Sequence, residues 1–214
     1  MAKTYHQESN VLYVSSGAVY GTQPENIECI PEDFNIIDPD DIPERKRDYS
    51  FAKRDAEDAI RQLGEDGISV SIARCFSFVG PWLPLDQHFA IGNFIADGLA
   101  EREIIVKSQH KVYRSYMYVD DLVESLMIIA SNSGSQCPTY NVGSDEAVLI
   151  GDLAKIVARQ FGQVVSAPLI TEKRIDRYVP AVFKIRKDLG FELKFDLSSS
   201  IAATVREIRN RSQL

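Results

Sequence analysis

Cysteine is scarce in this chain: three residues in 214, Cys29, Cys75 and Cys137, too widely spaced for a metal-ligand pattern or a disulfide framework. That usage fits a reducing compartment, and a cytoplasmic location is expected. Long apolar runs are missing, and none approaches the eighteen or so residues a membrane-spanning helix needs. The segment Met1 to Asn10 is polar and lacks the apolar centre of a secretory signal. Positive charge is also in short supply, with 24 Lys and Arg against 31 Asp and Glu, a net charge of -7. Proteins that track nucleic-acid phosphates need clustered basic residues, so nucleic acid is not an expected partner and neither is a membrane. A small anionic ligand held by a few arginines remains compatible with this charge. The chain shows no internal repeat and no low-complexity tract.

What is present is the make-up of an ordinary globular protein, 44% hydrophobic and 26% charged. The length suits one good core, or one domain with a small appendage. Acidic residues concentrate between Glu25 and Asp48, where Glu32, Asp33, Asp38, Asp40, Asp41 and Glu44 read as a solvated loop. A regulatory or metal-binding loop is the alternative. Val11–Ser15 and Ile68–Ala73 read as strands, with a proline-rich loop and a helix over Ser50–Leu63 between them. That helix should bury Ala52, Ala56, Ala59, Ile60 and Leu63 and stop at Gly64. Further helices are expected over His88–Leu99, Asp120–Ala130, Ile150–Phe161 and Ser198–Ile208. Extended pieces are expected at Ile104–Val106, Tyr116–Val119 and Thr139–Val142. The stripe Leu122, Val123, Leu126, Met127, Ile129 and Ala130 predicts a largely buried face. Strands alternating with helices imply an α/β fold with parallel pairing. The shorter strands after Ile104 point to a second, smaller lobe.

Two groups of residues could do chemistry. Tyr49 and Lys53 stand four apart on the first helix and so share a face. Free tyrosine titrates near ~10, and a neighbouring cation favours its ionised form, so such a pair suits proton transfer. By itself the spacing is weak evidence, since a surface Tyr packed on a Lys stem gives the same pattern. Ser15 and Ser16 end the first strand, where open α/β sheets bind ligands. They would serve equally well in a turn.

Taken in order, Val14-Ser-Ser-Gly-Ala-Val-Tyr-Gly21, Tyr49-x-x-x-Lys53, Ala73-Arg-Cys-Phe-Ser-Phe-Val-Gly-Pro81, Arg114-Ser-Tyr-Met-Tyr-Val-Asp-Asp-Leu122, Tyr140-Asn-Val-Gly143 and Tyr178-Val-Pro180 form a series. The series resembles the extended short-chain dehydrogenases/reductases, in their nucleotide-sugar epimerase/dehydratase branch. The resemblance implies the C-terminal part of a Rossmann-type parallel sheet over residues 1–80. It implies a mainly helical substrate-binding lobe over 81–214, with strands returning to the sheet. It implies catalysis by Ser16, Tyr49 and Lys53: Ser16 bonding the reacting sugar oxygen, Tyr49 as general acid or base, and Lys53 on the nicotinamide ribose. Cofactor contacts would come from Ser15, Tyr49, Lys53 and Phe76, the cofactor being NAD or NADP. Substrate contacts would come from Ser16, Ser77, Asn93, Arg114 and Arg177, with Arg174 as an alternative to Arg177; Asn93 could equally be a solvent-facing helix residue. The partner would be a nucleotide-diphosphate sugar, in a polysaccharide-forming setting. Asp121 and Asn141 would have structural roles.

The chain departs from that pattern in three ways. Gly17 and Ala18 stand where the dTDP-glucose 4,6-dehydratase pattern carries Asp and Glu, so epimerisation or keto-reduction is expected in preference to dehydration. Ser77 replaces an Asn, and Ala181 an Asp. The glycine-rich Gly-x-x-Gly-x-x-Gly turn that seats a dinucleotide pyrophosphate is missing. By this reading roughly the first hundred residues of a two-lobed enzyme are absent, and the strand at Val11 is left with an unpaired edge. The family implies an enzyme; the chain alone is expected to be inactive. A non-catalytic nucleotide-sugar-binding or interaction protein is the alternative. Homodimerisation, or pairing with a missing N-terminal half, would supply the partner.

Overall fold

A computed structural model of the chain describes residues 8–35, 42–87 and 89–211. Asp38, Asp40, Asp41, Pro39, His88 and the N-terminal residues through 7 lie outside the described residues, and with them part of the acidic loop and the expected start of the second helix. The chain runs through β1 (Val11–Ser16), a 3₁₀ turn (Gly17–Tyr20), α1 (Glu44–Glu65), β2 (Val70–Cys75), β3 (Phe78–Val79) and α2 (Ala90–Leu99). It continues through β4 (Ile104–Ile105), β5 (Lys111–Arg114), β6 (Met117–Tyr118), α3 (Val119–Ser131), β7 (Thr139–Val142) and β8 (Val148–Leu149). The last elements are α4 (Ile150–Phe161), β9 (Val165–Ser166), β10 (Ile175–Tyr178), α5 (Phe183–Leu189) and α6 (Leu197–Arg211).

The α/β class expected from the alternation is the one observed. β1, β2 and β7 form a parallel sheet in that order. β2 lies at its centre and is buried over Val70, Ser71, Ile72 and Ala73, mostly apolar as a strand covered on both faces should be. Ile72 clusters with Ile60 and Leu63 of α1, whereas its neighbour Ala73 clusters with Ile129 of α3. Successive side chains of a strand point to opposite faces, so the two helices cover the sheet from opposite sides. Each fully buried Ile or Leu in these contacts contributes roughly 1.5–3 kcal/mol. A second core joins α2, α4 and α6 through Ile91, Ile95, Leu153, Val157 and Ile201. Small pairings, β10-β5-β8, β3-β6 and β4-β9, link the remaining segments.

Several expectations need correction. α1 begins at Glu44, six residues before Ser50, and passes through Gly64 to Glu65. Ser50 and Glu57 are buried on it and Ile60 and Leu63 pack toward β2 as expected, while Ala52 and Ala59 face solvent. Gly64 is required by packing instead of termination: a Cβ there would sit 2.6 Å from the Ser135 carbonyl oxygen. The α3 stripe is only partly covered, because Val123 and Met127 are exposed. The apolar run Val11–Ser15 reads as a buried strand, but Val14 is 44% exposed and β1 ends its sheet among the described residues. The acidic loop is not simply solvated. Glu25 accepts the Ile175 N–H at 2.8 Å, and Glu32 accepts that of Asn141 at 2.9 Å. No described helix is long and apolar enough to cross a membrane.

Candidate active site

Parallel pairing brings the C-terminal ends of β1, β2 and β7 to one rim, with Ser16 opposite Cys75 and Cys75 opposite Val142. Ser16 leaves the strand with extended backbone and caps the 3₁₀ turn, its hydroxyl accepting the Ala18 N–H at 3.1 Å. The turn is tight because Gly17 has no side chain. A Cβ there would lie 2.7 Å from both the Phe76 ring and the Tyr178 hydroxyl.

α1 runs past this rim and presents Tyr49 and Lys53 on the outer side of β1. Tyr49 is 54% exposed. The Lys53 ammonium lies 5.9 Å from the Tyr49 ring centre and 5.1 Å from that of Tyr13. It donates to the Val14 carbonyl at 3.1 Å, on the edge of β1 that pairs with no strand among the described residues. Tyr49 and Lys53 therefore do share a face, as their spacing predicts, and that face is open.

Tyr178 joins these groups. It ends β10 directly opposite Arg114 of β5, and its ring packs 4.6 Å from that of Phe76. Its hydroxyl lies beside Gly17, where a Cβ would come within 2.7 Å of it. Burial pushes this phenol up to about 12, so it is protonated at any ordinary pH. The segment Tyr178-Val-Pro180 belongs to the resemblance, which gives Tyr178 no role; the β5–β10 pairing and Gly17 bring it to the rim.

The other expected residues divide by surroundings. Arg114 makes a two-pronged pair with Asp176, at 2.9 and 3.2 Å, and bonds the Tyr113 carbonyl at 2.8 Å. Burial raises the Asp176 carboxyl, but the bonds and charge of Arg114 outweigh it and hold the group below its usual value. Arg177 lies over the Tyr113 ring at 4.3 Å. Arg174 instead reaches the His110 ring. Asn93 is exposed on α2, and Ser77 is partly buried with its carbonyl accepting the Met117 N–H at 3.1 Å. The Ser15 hydroxyl turns inward to the Glu57 carboxylate at 2.7 Å. Phe76 is buried between Tyr20 and Tyr178.

Beneath the rim lies a polar cluster that the spacing of residues did not announce. Glu57 receives Arg74 at 2.7 Å and Arg61 at 2.8 Å. Arg74 also donates to the Tyr20 hydroxyl at 2.8 Å, and that hydroxyl donates to Asn141 at 2.7 Å. Asn141 ties the Ile30 and Ala181 carbonyls, and Asp121 accepts the Lys194 and Phe195 N–H groups, the structural roles expected of both. The open clefts of about 420 and 310 Å³ lie over this cluster, lined in part by Arg61 and Arg74, and not over Ser16.

Residues 1–143 match the model of the NAD dependent epimerase/dehydratase family. The chain belongs to that family. UDP-glucuronic acid decarboxylase 4 of Arabidopsis thaliana is 29% identical over 167 residues, which are 76% of this chain and 37% of the relative. UDP-glucuronic acid decarboxylase 1 of Xenopus tropicalis is 26% identical over 204 residues, 94% of this chain and 47% of the relative. The family member described here thus spans less than half the length of either. In fold it is similar to the dTDP-glucose 4,6-dehydratase of Bacillus anthracis solved with NAD, with a TM-score of 0.80 and 15% identity over 99% of this chain and 65% of that one. It is similar also to the Thermotoga maritima UDP-glucose 4-epimerase solved with UDP-glucose, with a TM-score of 0.74 and 20% identity over 95% and 64% of the two chains.

Proposed function

We propose that this chain carries the proton-transfer and substrate-holding residues of an NAD(P)-dependent epimerase or keto-reductase acting on nucleotide-diphosphate sugars. The observation that supports this best is convergence at one rim. Ser16 closes β1, Tyr49 and Lys53 stand beside it on α1, and Tyr178, opposite Arg114 in the β5–β10 pair, packs beside Gly17. Relatives named UDP-glucuronic acid decarboxylases, and a structural neighbour solved with UDP-glucose, support the substrate class.

In this reading Ser16 donates a hydrogen bond to the reacting sugar oxygen, and Tyr49 takes or returns that oxygen's proton. Arg114 exchanges one two-pronged anion, Asp176, for another, the diphosphate. Arg177, Asn93 and Ser77 complete the substrate contacts. Residues 1–80 form the sheet region bearing Ser16, Tyr49 and Lys53. Residues 81–214 form the substrate lobe, from which β7 returns to the sheet. Gly17 supports the preference against dehydration: Phe76 and Tyr178 leave no room at that position for an acidic side chain, and Ala18 offers none.

The described residues fit one end of a nicotinamide cofactor. Tyr49 and Lys53, open on the outer side of β1, suit the nicotinamide ribose, and the bound group would supply the hydride acceptor and donor. Ser15 and Phe76, committed to Glu57 and Tyr178, support that end from below. The pyrophosphate has no cradle among the described residues, since the glycine at the β1 rim is filled by two aromatic side chains.

A second reading, a nucleotide-sugar-binding or interaction protein without cofactor, is favoured by the outer edge of β1. Val14 and Tyr49 are exposed there, and Val123 and Met127 are exposed on α3. Such surface suits pairing with another chain, whether a second copy or a dinucleotide-binding half. Calorimetric titration of the chain with NAD+, NADP+ and a panel of nucleotide sugars separates the readings. Micromolar cofactor binding supports the enzyme; heat with a nucleotide sugar alone supports the binding protein.

A further inference from the structure

Two charged side chains are buried together beneath the rim. Glu57 is 1% exposed, and Arg74 grips it with Nη2 at 2.7 Å and Nε at 3.0 and 3.2 Å from the two carboxylate oxygens. Apolar side chains of similar volume often support a fold as well as a buried ion pair does, so stability alone is a weak reason for the pair. What distinguishes it is the rest of its contacts.

Glu57 Oε1 accepts the hydroxyl of Ser15, the residue before Ser16, at 2.7 Å. Arg74 Nη1 donates to the hydroxyl of Tyr20, the last residue of the 3₁₀ turn, at 2.8 Å. Tyr20 in turn donates to Asn141 at 2.7 Å, and Arg54, one turn before Glu57 on α1, donates to the Val19 carbonyl at 2.8 Å. The chain is therefore held on both sides of Gly17 by one carboxylate and one planar guanidinium fork, whose geometry allows several directed bonds at once. Successive residues of a strand face opposite ways, so drawing Ser15 inward also fixes the side on which Ser16 emerges. The Ser16 hydroxyl bonds the Ala18 N–H at 3.1 Å and moves with the turn it caps.

We propose that Glu57 and Arg74 are positioning residues: by holding Ser15 and Tyr20, they set where the Ser16 hydroxyl meets the reacting sugar oxygen. This rests on the substrate reading above. The pair acts only through the turn and touches no substrate.

The test separates positioning from support of the fold. In the double variant Glu57→Leu/Arg74→Met no charge is stranded, Arg61 keeps Asp58 at 2.9 Å, and Tyr20 keeps Asn141. Ser15→Ala is the second variant; it cuts the tether to β1 and leaves the ion pair whole. Both are measured in the full 214-residue chain. Amide hydrogen exchange compares Ala18 and Gly21, bonded within the turn, with Ile72 in the central strand. Calorimetry compares the affinities for UDP-, dTDP-, GDP- and CDP-glucose with those for the free nucleoside diphosphates. In both variants Ala18 and Gly21 should exchange about tenfold faster relative to Ile72, and the ratio of sugar-nucleotide to nucleotide affinity should fall roughly tenfold, the size of one hydrogen bond. Turn amides that keep their wild-type rate relative to Ile72 would overturn the proposal. So would a loosened turn with an unchanged affinity ratio, or an equal loss for the free nucleotide; in each case the substrate reading survives. A wild-type chain that binds no sugar nucleotide would remove that reading and the role given to Ser16 with it, an outcome that no exchange rate can mimic.

Discussion

Glu57 is 1% exposed, beneath Ser15, and faces the guanidinium groups of Arg74 and Arg61. Burial pushes its carboxyl up, but the bonds and charge of Arg74, helped by Ser15 and Arg61, outweigh that and hold it below the usual value. A buried pair adds little net stability when intact, yet removing one member strands the other. Glu57→Gln should therefore cost about 3 kcal/mol, read from urea unfolding at pH 7. The folded Glu57 and Asp176 carboxyls both titrate below their unfolded values. Their stabilisation is thus complete above about pH 5 and is lost as pH falls through the folded values. Glu32 and Asp121, raised chiefly by burial, act in the opposite sense. The variant, with no proton to take up at position 57, should lose less stability between pH 7 and pH 4 than the wild type does.

Among the elements, α1 shows how packing overrides local preference. An alanine is favoured over glycine in a helix by up to about 1 kcal/mol, so Gly64 near the end of α1 looks like a position to improve. The Ser135 carbonyl, 2.6 Å from the would-be Cβ, and the Val70 side chain at 3.1 Å reverse the sign. Gly64→Ala should destabilise by about 1–2 kcal/mol through overpacking against backbone. Gly151, in the first turn of α4, has nothing within 4 Å of its Cβ position. Gly151→Ala should stabilise by about 0.5 kcal/mol, and a pair of thermal melts distinguishes the two outcomes.

Across the whole molecule, stability should fall off from the centre of the sheet toward β1. β2 has partners on both sides, whereas β1 pairs only with β2 among the described residues. The Val11 N–H bonds the Ser69 carbonyl, so the odd residues of β1 face β2 and the even ones face outward, where Lys53 covers the Val14 carbonyl. Native-state hydrogen exchange should show the Leu12 and Val14 amides exchanging fast, with Tyr13, Ser15 and the β2 amides protected. Uniform protection along β1 would mean that its outer edge is paired in solution, and size-exclusion chromatography would then reveal the second copy.

The sequence by itself determined the α/β class, the bounds of β7 and α4, and the pairing of Tyr49 with Lys53, because these rest on periodicities of two, 3.6 and four that neighbours along the chain create. Local pattern carries no information on which face of α1 meets the sheet. Ile60 and Leu63 of the apolar stripe kept their place against β2, but Ala52 and Ala59 gave way to Ser50 and Glu57, since Glu57 finds Arg74 seventeen positions on and Ser15 on another strand. The short strands β5, β8 and β10 were illegible for the same reason: four residues or fewer hold an extended form only when a partner strand supplies the hydrogen bonds. Only the tertiary structure could bring Tyr178 to Gly17, across more than 160 positions, because that meeting depends on the β5–β10 pairing and on the space that Gly17 leaves empty.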